Sequence, residues 1–180
     1  QKGQNLQASV QIPFATAVTG GQASVSVQRA DGTVSPIQVS IPAGIEDGKK
    51  IRLRGQGHSG LHGGPDGDVI VVVNIASHPC FKRNGLDLEV DLPITLAEAV
   101  NGASIDVPTP YGTIEFKIPS LTSGGRRFRI KGHGVKHADG KGNLYLSVRI
   151  VLPEQSSEEL TTLAEIVSAD EKPIRDDLRW

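Results

Sequence analysis

Val39-Ser-Ile-Pro-Ala-Gly-Ile-Glu-Asp-Gly-Lys-Lys-Ile-Arg-Leu-Arg-Gly-Gln-Gly57 is answered, class of residue by class of residue and without a gap, by Phe116-Lys-Ile-Pro-Ser-Leu-Thr-Ser-Gly-Gly-Arg-Arg-Phe-Arg-Ile-Lys-Gly-His-Gly134. Self-similarity of this extent marks a structural unit used twice. Upstream, Val10-Gln-Ile-Pro13 pairs with Val90-Asp-Leu-Pro93, and Ala23-Ser-Val-Ser-Val27 with Ala103-Ser-Ile-Asp-Val107. Downstream, Gly67-Asp-Val-Ile-Val-Val-Val-Asn-Ile75 pairs with Gly142-Asn-Leu-Tyr-Leu-Ser-Val-Arg-Ile150. The blocks keep their order, so the expected organisation is two domains of one fold, residues 5–78 and 84–153, then a helix and tail at 154–180. Domains this small bury a limited share of their surface, which predicts contact between the halves or with a second subunit.

Within each half the apolar period is two. Leu6, Ala8, Val10 and Ile12 oppose Gln7, Ser9 and Gln11, while Leu86, Leu88, Val90 and Leu92 oppose Asp87, Glu89 and Asp91. The expected fold class is therefore mainly β: two tandem, similar β-sandwich-like domains followed by a short C-terminal helix. In Lys50–Arg54 and Arg127–Lys131 the alternation is strict, with apolar residues inward and cations outward. Pro13 and Pro93 are expected to end their strands, because proline gives nothing to a ladder. Ala30-Asp-Gly-Thr33 and Pro110-Tyr-Gly-Thr113 carry hairpin turn chemistry.

Single helical turns are expected at Ala15–Val18 and Leu96–Val100, ended by Gly20 and Gly102. A longer helix is expected from about Ser157 to Ser168. Ser156-Ser-Glu-Glu159 has the capping-box spacing, and Leu160, Leu163, Ile166 and Val167 form one apolar stripe. A helix of that length is marginal alone, so the stripe needs a surface to dock on.

The 180 residues are 37% apolar and 22% charged, as in globular proteins. No apolar run approaches the ~18 residues of a membrane span, and Gln1-Lys-Gly-Gln-Asn5 lacks a signal-peptide layout, so a soluble chain without membrane contact is expected. A net charge of −1 gives no long-range field towards nucleic acid or membrane. Methionine is absent even at the first position, which points to a piece of a longer protein. The single Cys80 can form neither an internal disulfide nor a cysteine-rich zinc site, and is expected to be a small packing residue.

Three kinds of motif invite chemistry. Gly55-Gln-Gly-His-Ser-Gly60 fits a dinucleotide pattern, but the following His62-Gly-Gly-Pro-Asp-Gly67 cannot begin a helix. His58/His62 and His133/His137 have i, i+4 spacing, with Asp66, Asp68 or Asp139 near in sequence, yet they lie in glycine-rich loops where that spacing does not align imidazoles. Neither a nucleophile elbow nor a cysteine signature is present, so no catalytic residue, cofactor or metal is assigned. Two cationic strips, Lys49-Lys50-Arg52-Arg54 and Arg126-Arg127-Arg129-Lys131, could meet phosphates through Arg52, Arg54, Arg127 and Arg129. Solvated edges that discourage strand pairing are the alternative.

Ser77-His-Pro-Cys-Phe-Lys-Arg-Asn-Gly-Leu-Asp-Leu88 resembles the boundary between the two C-terminal domains of DnaJ-type co-chaperones. The resemblance extends from about Leu6 to Leu163 and takes in Ile51–Gly57, Phe128–Gly134, Pro42–Gly48 and Leu92–Gly102. It implies a cytoplasmic holder of unfolded client polypeptide that serves an Hsp70-type chaperone and pairs into a homodimer through its last helix. By position, Val10, Ile12, Val25, Val27 and Val71 match the family's client groove, although strand alternation alone assigns them equally to a core. Leu160, Leu163 and Ile166 match the dimerisation helix. The chain has no C-x-x-C repeats, as in the zinc-free subclass, and no J-domain signature, since His78-Pro79-Cys80 ends on the wrong residue. The likeness to the curved-DNA-binding branch leaves a nucleoid-associated, DNA-binding role as the rival expectation.

Overall fold

The computed structural model describes residues 2–28, 32–168, 174–175 and 178. The first half is built from β1 (Leu6–Ile12), a short helix α1 (Phe14–Thr19), β2 (Gly21–Gln28), β3 (Val34–Ile41), β4 (Lys50–Leu53) and β5 (Val69–Ile75). The second repeats this plan with β6 (Phe81–Asn84), β7 (Asp87–Thr95), α2 (Leu96–Asn101), β8 (Ala103–Thr109), β9 (Gly112–Ile118) and β10 (Arg127–Ile130). After these come β11 (Lys136–His137), β12 (Gly140–Lys141) and β13 (Leu144–Val151), and the chain continues into α3 (Glu158–Ser168). The mainly β class with a short C-terminal helix is as expected.

In the first half β5 is the middle strand, parallel to β1 and antiparallel to β4, and the β2–β3 hairpin lies over this sheet. Val69, Val71 and Val73 point inward and are fully buried with Ile12, Val25, Val27, Val39 and Ile41. Each such side chain contributes roughly 1.5–3 kcal/mol on leaving water. The second half places β13 between β7 (parallel) and β10 (antiparallel), adds β6 outside β7, and lays the β8–β9 hairpin on top. Its interior carries larger side chains: Leu144 and Leu146 stand where Val69 and Val71 stand in the first half, with Phe116 and Phe128 beside them.

The repeat is real, but its upstream register is two residues from the one the sequence suggests. Leu6 N donates to Asp68 O and Leu88 N to Asn143 O, so Leu6 corresponds to Leu88, and Ile12 to the equally buried Ile94. Pro13 accordingly matches Thr95, and Pro93 does not end its strand. Strand β6 covers β7 only as far as Val90, so the edge beyond is unpaired and tolerates a residue without an N–H. The short helices lie where expected, each closed by a glycine with positive φ, Gly20 and Gly102. Ser157 caps α3, through Leu160 N to Ser157 Oγ at 3.1 Å, one residue later than the expected box. Pro110 and Tyr111 turn the β8–β9 hairpin; Ala30 and Asp31 of the other turn lie outside the described residues. Cys80 is exposed, not packed. No helix among the described residues is long and apolar enough to cross a membrane.

Gly57 shows why the glycine-rich loops are glycine-rich. A Cβ there would stand 2.6 Å from the Gly67 carbonyl carbon, and Gly134 meets Gly142 in the same way. These are places of close backbone approach, not a phosphate cradle. Between them and the sheet sits Asp68, whose Oδ1 accepts from Gly55 N at 2.9 Å while Oδ2 accepts from Arg52 Nε at 2.9 Å, from Arg52 Nη2, and from Lys2 Nζ at 3.1 Å. The Gly55 amide, then Arg52 and Lys2, hold this carboxyl well below its ordinary 3.8, against the opposing effect of burial.

Because the folded-state value is lowered, the stabilisation is complete above pH 3.8 and is lost as pH falls below it. Asp68→Asn is expected to fold, since Asn143 takes the same place in the second half and accepts from Gly132 N at 3.1 Å. In urea melts the wild type should exceed Asp68→Asn in stability at pH 5, and the gap should narrow at pH 3. A gap independent of pH would remove the ionised carboxylate from the account.

Candidate functional site

Strands β1 and β2 run alongside each other without pairing. Among the described residues β1 pairs with β5 alone and β2 with β3 alone, so two open backbone edges border one seam. Leu6, Ala8 and Val10 on β1 and Ala23 on β2 are half-buried along it. Beneath them Ile12, Val25, Val27 and Val71 are buried, between 0% and 3% exposed. Of the five groove residues expected from sequence, then, Val10 alone reaches the surface and the other four are core. Strand alternation explains the ambiguity, because an inward-facing valine reads the same whether a second layer covers it or not. Leu6, Ala8 and Ala23 were absent from that set; their position in the inward-facing register was the available signal.

The seam differs from its twin in side-chain size. Ala8, Val10 and Ala23 stand where the second half carries Val90, Leu92 and Ile105. A strip of small apolar residues between open edges can accept an extended segment: its side chains would lie against the strip and its amides could add to an edge.

Helix α3 has no buried residue. Leu160 is half-buried, Leu163 is 50% and Ile166 63% exposed, so the stripe expected to pair subunits is uncovered within its own chain. The cationic strips are occupied in part. Arg52 is held by Asp68, and Arg127 by Glu89 Oε1 at 2.6 Å with its guanidinium 4.1 Å above the Tyr145 ring. Arg54 and Arg129 are exposed but lie on different halves. Among the described residues no three of His, Cys, Asp and Glu converge as metal ligands.

The sequence profile described as the DnaJ C terminal domain matches residues 2–153. The chain belongs to the DnaJ C-terminal domain family. It is 39% identical over 145 residues to the chaperone protein DnaJ of Haloferax mediterranei, covering 79% of this chain and 38% of that protein. With the chaperone protein DnaJ of Lysinibacillus sphaericus it shares 43% identity over 124 residues, 68% of this chain and 34% of the relative. With that of Neisseria meningitidis it shares 42% over 134 residues, 73% and 36% respectively. The DnaJ C-terminal region described here thus spans between 34% and 38% of the length of these relatives.

Proposed function

We propose that this DnaJ C-terminal region holds unfolded polypeptide for an Hsp70-type chaperone, as the client-binding part of a cytoplasmic J-domain co-chaperone. The observation that carries the reading is the β1–β2 seam, a half-buried strip of Leu6, Ala8, Val10 and Ala23 between two unpaired strand edges. Unfolded chains expose apolar side chains and free amides together, and the seam offers a partner for each. Burial supplies roughly 25 cal/mol per Å² of apolar area with little dependence on sequence. Val25, Val27, Val71 and Ile12 form the floor that keeps the strip in shape. The name shared by the curated relatives supports the chaperone role, and the single cysteine supports the zinc-free subclass. Two chains pair through Leu160, Leu163 and Ile166 in the same reading.

Fluorescence polarisation with a labelled, apolar, unstructured peptide tests it. The wild type should bind saturably and change little between 50 and 200 mM salt, whereas phosphate binding through Arg54 and Arg129 would weaken steeply over that range. Ala23→Asp places a charge on the strip at a position that is not core. It should weaken the peptide at least tenfold, about 1.4 kcal/mol, with an unchanged thermal melt. Absence of saturable binding by the wild type would sink the client reading.

A further inference from the structure

Two clefts of about 560 and 600 Å³ open where the two halves meet, and Arg83, in the wall of both, marks the waist between them. A waist between two clefts is where a two-domain protein would bend. Arg83 spans it with its whole guanidinium: Nη1 donates to Ile45 O at 2.6 Å and Nη2 to Gly44 O at 2.8 Å, both in the first half, while Nε donates to Gly85 O at 2.7 Å in the second. A planar fork that meets carbonyls of two domains at once fixes direction as well as distance.

The gripped loop is itself seated on both sides. Gly44 N donates to Ala17 O of α1 at 2.8 Å, which ties the loop to that helix. From α1, Val18 reaches across and is 1% exposed within the core of the second half, beside Leu88 and Val135. Gly44 has φ +79°, and a Cβ on it would lie 3.1 Å from Val135 Cγ1 and from the His137 ring, so a side chain there would be strained and would crowd both neighbours. On the other side of the waist the His78 ring lies between Phe14 and Phe81, at 5.5 and 5.2 Å.

The twin face shows what happens without a neighbour. Val100 and Leu121 occupy the places of Val18 and Gly44 at the far end of the second half, and they are 47% and 78% exposed. The seated face is therefore specific to this junction and not a by-product of the fold.

We propose that the junction is a latched joint in which Arg83 is the positioning residue: its grip on the Gly44–Ile45 carbonyls holds the two domains at one angle, and without it they swing about the waist. The inference does not depend on what the seam binds.

Spin labels at Gln38→Cys and Glu115→Cys, both exposed strand positions in different domains, in a Cys80→Ser background, report the angle as a distance distribution. The wild type should give one narrow distribution. Arg83→Gln should broaden it at least twofold in a protein with an unchanged far-UV spectrum, and Arg83→Lys, which keeps a point charge without the fork, should fall between. Gly44→Ala, which wedges the loop from Val135, should move the maximum to a longer distance and decides the matter should Arg83→Gln fail to fold. A broad distribution in the wild type overturns the proposal. So does a folded Arg83→Gln as narrow as the wild type, or an unmoved Gly44→Ala where Arg83→Gln does not fold.

Discussion

Val71→Asp is expected to unfold the first domain and not to yield a folded protein that has merely lost its ligand. Val71 is fully buried on the middle strand, paired with Ala8 of β1 on one side and Ile51 of β4 on the other, so no movement of β5 brings it to water. Truncating its burial alone removes roughly 1.5–3 kcal/mol. A carboxylate in its place has no donor within the valine cluster and must desolvate or take up a proton, at a further cost of several kcal/mol. Against a typical stability of about 5–15 kcal/mol the sum is a large part of the whole. At about 4–8 °C per kcal/mol for a domain of this size, the melting temperature should fall by more than ~15 °C. Calorimetry of Val71→Asp beside Ala23→Asp separates the layers, because the half-buried Ala23 should tolerate the charge. A native-like melt for Val71→Asp with peptide binding abolished would mean that the valine lines an open groove after all.

That contrast also shows how far the sequence could be read. Alternation in Leu6–Ile12 and Lys50–Leu53 located strands and their inward faces, because a period of two is a local property of the backbone. The duplication was legible from the glycine-closed strands, since Gly57 and Gly134 are demanded by close backbone approach. Depth was not legible. Val10 and Val71 carry the same side chain in the same alternation, and only the lid formed by β2 and β3 distinguishes half-buried from buried. The two-residue register shift was hidden for a similar reason: Pro13 and Pro93 align by type, whereas the match of Ile12 to Ile94 is set by hydrogen bonds to β5 and β13. Arg52 and Arg127 looked like free cations because their carboxylates, Asp68 and Glu89, are distant in sequence. Arg83 gave no signal at all, since its partners in the first half are 38 and 39 residues away and all three of its partners are backbone carbonyls.

Leu163→Asp combined with Ile166→Asp is expected to turn the proposed dimer into a monomer, the second large effect. Among the described residues no side chain of α3 is buried, and an eleven-residue helix is marginal unless something covers it. The strand that leads to it, β13, ends at the same end of the second half as α2 and the 119–125 loop, where Val100 and Leu121 stand exposed. In the proposed pairing both apolar features would be satisfied together by a second copy related by a twofold axis, each stripe lying on the partner chain. Two aspartates on the stripe would each have to be desolvated to keep that contact, and neither they nor Leu160 reach into the core, so folding of the β domains should be untouched. Light scattering at tens of micromolar should read twice the chain mass for the wild type and once for the variant. Peptides with one apolar segment should bind the variant as before, because the seam is distant in the chain from α3. Peptides with two segments should lose tenfold or more, the part of their affinity that comes from a second seam at high effective concentration. A wild type that scatters as a monomer would remove the pairing while leaving the seam intact, and the fixed angle at Arg83 would then serve a single client site instead of setting the distance between two.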